Sequence, residues 1–151
     1  MKKIVLLFAL STVLCSCPTE IGDEVVYNYS VVNQTDKVIE IIPYQNPGNG
    51  LPELSKKIII QPGGKFEKIT EDSPPYSTGA SFQRALYDGY LQKLDIVFNN
   101  NRKITYESCV NLLCSDPKNI FHFTHNDENT EVYTITPEDY QNATPCNGNC
   151  Y

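Results

Sequence analysis

Leu94-Asp95-Ile96-Val97-Phe98-Asn99-Asn100-Asn101-Arg102-Lys103-Ile104-Thr105-Tyr106 is the stretch that decides the fold class. Leu94, Ile96 and Phe98 alternate with Asp95 and Val97. Past the asparagines, Ile104 and Tyr106 again fall on one face. Side chains of a strand point alternately to its two faces, so a period of two predicts strands with one apolar side. Asparagine tolerates positive φ, and three of them between two alternating runs predict a hairpin.

The same pattern recurs on either side. Upstream, Val25, Tyr27, Tyr29 and Val31 alternate with Val26, Asn28, Ser30 and Val32. A polar turn over Asn33 to Asp36 leads to Val38–Ile42, with Ile39 and Ile41 on one face and Pro43 expected to end the run. Residues 43–54 read as loop, Lys57–Gln61 as a short buried strand, Pro62-Gly63-Gly64 as a tight turn and Lys65–Thr70 as the next strand. Residues 71–81 read as loop, marked by Pro74-Pro75. Residues 80–91 leave helix and strand both open: Phe82, Ala85 and Leu86 would share a helical face, but Gly89 breaks the run. Downstream, Phe121 and Phe123, then Val132–Ile135, predict strands around a polar turn at Asn126 to Asn129. Thr136-Pro137-Glu138-Asp139 predicts a helix start, with Thr as N-cap, Pro at the first helical position and acids in the first turn. Short strands between turn signals, with little helix, predict an all-β chain: a single antiparallel β-sandwich or barrel over residues 25–151, ending in a short helical turn.

Composition narrows the function classes. The 151 residues suit one domain, and 40% hydrophobic with 20% charged residues is a globular composition. The formal charge is −6. A surface of that sign repels nucleic acid and anionic headgroups, which argues against a nucleic-acid partner.

The first residues read as a leader. Met1-Lys2-Lys3 is a short positive region, and Ile4–Leu14 is apolar apart from Ser11 and Thr12. At this length it is a signal core, too short to span a bilayer. Leu14-Cys15-Ser16-Cys17 follows, and it resembles the bacterial lipobox: Leu at −3, a small residue at −1, then the cysteine that takes lipid. The resemblance implies cleavage after residue 16, lipidation of Cys17, and residues 17–24 as a tether to the β-domain. Losing Lys2 and Lys3 with the leader would lower the formal charge from −6 by two, to −8. Two or more acyl chains give stable anchoring, at roughly 0.8 kcal/mol per buried methylene.

The order of strands and turns is similar to immunoglobulin-like sandwiches of bacterial envelope proteins. The chain as a whole resembles a loose group of small Gram-negative lipoproteins of uncharacterised activity, which share a hairpin like LDIVFNNNRKITY and a late segment like YTITPEDYQNA. The group carries no catalytic residue set. The resemblance implies an outer-membrane envelope location and a membrane partner through lipid on Cys17. It does not assign the face of the membrane.

Four cysteines follow Cys17: Cys109, Cys114, Cys146 and Cys150. They allow three pairings, and an envelope compartment would oxidise them. Local pairing, Cys109–Cys114 and Cys146–Cys150, is favoured because Asn147-Gly148 supplies a turn between the second pair. A four-cysteine zinc site is the alternative, and it would need reduced thiolates. No CxxC is present for redox catalysis. On a strand, His122 and His125 would face opposite sides and could not share a metal. Glu138-Asp139 reads as a helix-dipole pair before an acid–base pair. Ser73, Ser77 and Ser81 lack a nucleophile elbow. Gly48-Asn49-Gly50 and Gly63-Gly64 lack the residues of a phosphate loop. Tyr44, Tyr76, Tyr87 and Tyr90 are expected near loops, covering core with their rings, with stacking on an envelope glycan or anchoring of an envelope protein as the alternative. Asn28, Asn33 and Asn142 head Asn-x-Ser/Thr triplets that are read as chance. No catalytic residue and no cofactor are assigned. The expectation is a non-catalytic binding or interaction module, with an envelope enzyme inhibitor or a structural subunit of a surface assembly as alternatives.

Overall fold

A computed structural model describes residues 22–45, 50–74, 76, 81–87, 91–109, 114–126 and 128–151. The leader, Cys17, Ser77, Gly89, Tyr90 and Gly48-Asn49 lie outside the described residues.

The hairpin forms as its alternation demands. β5 (Leu91–Phe98) pairs antiparallel with β6 (Arg102–Glu107), Leu94 opposite Tyr106 and Ile96 opposite Ile104. Asn99 and Asn100 take the positive φ values, 47° and 53°, that close the turn. β2 (Ile39–Gln45) and β3 (Ile58–Ile60) extend this sheet on one side, and the two-residue β8 (Thr144–Pro145) on the other, in the order β3-β2-β5-β6-β8. The second sheet has three strands, β4-β1-β7: β1 (Val25–Asn33) lies between β4 (Lys65–Asp72) and β7 (Thr130–Ile135). β1 pairs antiparallel with β4 and parallel with β7. The parallel pair departs from the all-antiparallel expectation, and strand periodicity carries no information on direction.

The two sheets share one core. Tyr29, Val31, Tyr133 and Ile135 from the three-stranded sheet meet Ile39, Ile41, Leu94, Ile96 and Phe98 from the five-stranded sheet. α1 (Phe82–Leu86) drops Phe82 into this layer, edge-on to Tyr29 at 5.0 Å. Residues 80–91 thus contain a short helix, with the Ser81 side chain accepting from Arg84 N–H as its cap. α2 (Pro137–Asn142) starts as expected, and Asp139 accepts from both the Thr136 backbone N–H (2.7 Å) and its hydroxyl (2.8 Å).

Three local expectations fail. Pro43 does not end its strand, because β2 runs on to Gln45 with Pro43 opposite Leu94. β3 stops pairing with β2 at Ile41, so Pro43 has a strand on one side only, where a missing N–H is tolerated. Ile58-Ile59-Ile60 is not wholly buried, since Ile59 points outward at 54% exposure. Phe121–Phe123 is not a strand: residues 119–122 turn, and Phe123–His125 is a 3₁₀ turn. Side chains impose this. Asn119 Oδ1 accepts from Phe121 N–H, His122 Nδ1 lies 3.3 Å from Thr124 N, and Asn126 Nδ2 donates to Ile120 O and His122 O.

Candidate functional site

In the five-stranded sheet, Glu40, Ile42, Tyr44, Lys93, Asp95, Val97, Lys103 and Thr105 alternate with the core residues and so face away from the sandwich. Such a face is normally solvated. Here Ile42, Val97 and Asp95 are each 0% exposed: Cys146 and Cys150 pack on Ile42 and Val97, while Tyr44, Lys103 and Thr105 close over Asp95. The Cys146–Cys150 disulfide, with its Cα atoms 5.1 Å apart, packs on Ile42, Tyr44 and Val97 as the apolar part of this cover.

At the centre is Asp95. Its Oδ2 accepts from Lys103 Nζ and from Tyr44 Oη, both at 2.8 Å, and its Oδ1 accepts from Thr105 Oγ1 at 2.6 Å. The hairpin register makes this set, putting Thr105 opposite Asp95 and Lys103 one step along on the same face. β2 brings Tyr44 from the other side. Burial, then the Asp95 hydrogen bond and charge, raise the Tyr44 phenol well above its usual range, so it remains a donor. Lys93 lies over the Tyr44 ring at 4.5 Å.

The cover is tied to this network. Lys103 Nζ also donates to Cys150 O at 3.0 Å. Cys146 N–H donates to Asn101 O at 2.8 Å, and Cys150 N–H to Asn100 Oδ1 at 3.3 Å. Tyr151 Oη donates to Glu40 Oε2 at 2.8 Å and accepts from Lys57 Nζ at 3.1 Å. The turn asparagines therefore serve the hairpin and the cover together.

The other predicted residues are spread over the molecule. Cys109–Cys114 is the second disulfide, Cα atoms 4.9 Å apart, so the four sulfurs are bonded in the local pairs and are not zinc thiolates. It sits on the opposite flank, where Cys109 Sγ lies 3.2 Å from Phe121 O. His122 and His125 stand nearby with ring centroids 6.4 Å apart, their nitrogens engaged by Thr124 Oγ1 and Pro117 O. Lys118 joins Asp139 at 2.8 Å, and Tyr133 Oη donates to Lys118 O while sharing a hydrogen bond with Tyr106 Oη. Burial of Asp139 opposes its ionisation, but the Lys118 hydrogen bond and the Thr136 contacts outweigh it and hold the carboxyl below its ordinary value. Glu138 is exposed. Tyr87 is buried and donates to Glu53 at 2.6 Å, Tyr44 lies in β2 and not at a loop, and Tyr76 is exposed. Among the described residues, no three His, Cys, Asp or Glu side chains group as a metal site, and no helix is long and apolar enough to cross a membrane.

Sequence reasoning did not single out Asp95, Lys103 and Thr105. The signal was present: an acid inside the apolar run of β5, with a lysine and a threonine at matching steps past the asparagine turn.

Compared with known proteins, the chain matches no family model, no curated sequence and no solved structure.

Proposed function

We propose that the chain is a lipid-anchored protein of a bacterial outer membrane, and that its β-domain is a non-catalytic binding or interaction module. The observation that carries this reading is Leu14-Cys15-Ser16-Cys17 behind Lys2-Lys3 and an apolar run. The two disulfides support it, because such bonds persist in oxidising compartments. The non-catalytic part is supported by Asp95, the most buried carboxylate of the covered face, which has both oxygens occupied by internal donors. An immunoglobulin-like sandwich is the finer reading of the fold, supported by sheets of three and five strands around one core.

The test is fractionation of cells expressing the full chain, with labelled palmitate in the medium. The wild type is expected in the membrane fraction and labelled. Cys17→Ala is expected to be unlabelled and released. A labelled or membrane-bound Cys17→Ala variant would overturn the reading.

A further inference from the structure

The segment over the five-stranded sheet is held there by a few hydrogen bonds and by packing, and its disulfide, with both cysteines inside the segment, joins it to no strand but keeps it in the shape that fits the face. Its strand contribution is the two residues of β8, and beyond them Cys146 and Cys150 each offer one backbone N–H to the asparagine turn. What it covers is poor ground for a permanent cover. Asp95 and Lys103 are an ion pair with the Lys103 side chain still 31% exposed, and covering such a pair carries a desolvation cost. The apolar gain comes from Ile42, Val97 and part of Tyr44. Uncovering the face would let water reach Ile42, Val97 and the Lys103 side of the network while leaving the large core between the sheets intact, since that core holds none of these residues.

We propose that residues 146–151 form a redox-sensitive strap beside the Asp95–Lys103 network, kept in its closed shape by the Cys146–Cys150 disulfide and loosened by its reduction. The reductant is a dithiol. One of its thiolates attacks Cys146 Sγ, the half-buried partner, and Cys150 Sγ departs as the thiolate and takes a proton. The second dithiol sulfur then displaces Cys146. The dithiol has become a disulfide, giving up two electrons and two protons, and the strap carries two thiols. Opening releases the Cys150 carbonyl from Lys103 and the Tyr151 hydroxyl from Glu40, and exposes Ile42, Val97 and the Lys103 side of the network as one mixed polar and apolar surface.

Hydrogen exchange on the purified full chain tests this, with and without excess dithiothreitol. Reduction is expected to speed exchange at the Cys146 and Cys150 amides by roughly 30-fold, the effect of removing a loop closure this short. Amides of Ile96 and Tyr133, in the sheets beneath, should keep their rates. The C109S/C114S variant keeps only the strap disulfide and should show the same selective acceleration. Unchanged rates at Cys146 and Cys150 after complete reduction would overturn the proposal. So would acceleration throughout both sheets, which would make the bond a staple of the whole fold, or loss of the effect in C109S/C114S, which would assign it to the other disulfide.

Discussion

The two sheets turn similar outer faces to very different surroundings. On the three-stranded sheet, Val26, Ile69 and Val132 point outward and are 52%, 56% and 56% exposed. On the five-stranded sheet, Ile42 and Val97 point outward and are fully buried, with the charged Asp95 between them. Strand periodicity treats these faces alike. They differ because residues 146–151, far along the chain from the hairpin, fold back over one of them. The burial of an outward-facing residue here is set by a remote piece of chain, not by its own strand.

The largest test of that contrast is the charge. Asp95→Ala would strand the buried Tyr44 hydroxyl, take the acceptor from Thr105 and leave Lys103 without its partner. A loss of about 3 kcal/mol is expected in denaturant unfolding, the lower end for breaking a buried pair, because Lys103 keeps some access to water. If Asp95→Ala is as mild as Val132→Ala, the covered face has no energetic distinction. Next come the aliphatic residues. Ile42→Ala is expected to cost about 2–3 kcal/mol by emptying the space under the disulfide. Ile69→Ala on the open face should stay within about 0.5 kcal/mol. Equal costs would break the comparison.

What the sequence revealed follows the same division. The hairpin was legible because Leu94, Ile96, Ile104 and Tyr106 alternate about a turn that only residues tolerant of positive φ can make. The local disulfides were legible because neighbouring cysteines around Asn147-Gly148 need little chain to meet. The strap was not legible, since nothing in residues 146–151 states which surface they cover. The Phe121–Phe123 stretch looked like a strand because apolar alternation is visible in a sequence. The Asn119, His122 and Asn126 side-chain bonds that bend it become visible only with coordinates. Lipidation of Cys17 is legible from Leu14-Cys15-Ser16-Cys17 behind Lys2-Lys3 and needs no fold to be read.

Acid sharpens the comparison further. Asp139, buried near the Cys109–Cys114 flank, is held below the ordinary carboxylate value of 3.8 against the opposing effect of burial. Glu67, on the open face, is held below its own value of 4.5 by Lys65 and Asn28. A carboxylate with a depressed folded pKa stabilises above its unfolded pKa, and that stability is lost as pH falls through the folded value. Both therefore push the same way below about pH 4.5, but only Asp139 is shielded from solvent screening. Asp139→Asn should flatten the fall of unfolding midpoint on acidification, and Glu67→Gln should leave it unchanged. A flattening by Glu67→Gln alone would place the acid sensitivity on the open face.

The smallest effect isolates the strap from the hairpin beneath it. Asn100 has two roles: a backbone at φ 53° that shapes the turn, and an Oδ1 that accepts the Cys150 N–H at 3.3 Å. Asn100→Gly keeps the first role, because glycine takes positive φ without a steric cost, and removes the second. Global stability should move by no more than about 0.5 kcal/mol, since the added freedom of the unfolded glycine is offset by relief at the positive φ. The Cys150 amide should nevertheless exchange about threefold faster, the effect of losing one weak hydrogen bond worth about 0.7 kcal/mol. The Cys146 amide, bonded to the backbone carbonyl of Asn101, should change less. If both amides keep their wild-type rates, the asparagine turn shapes the hairpin only, and the strap is held on this face by the packing of its cysteines on Ile42 and Val97 and by Lys103 and Tyr151.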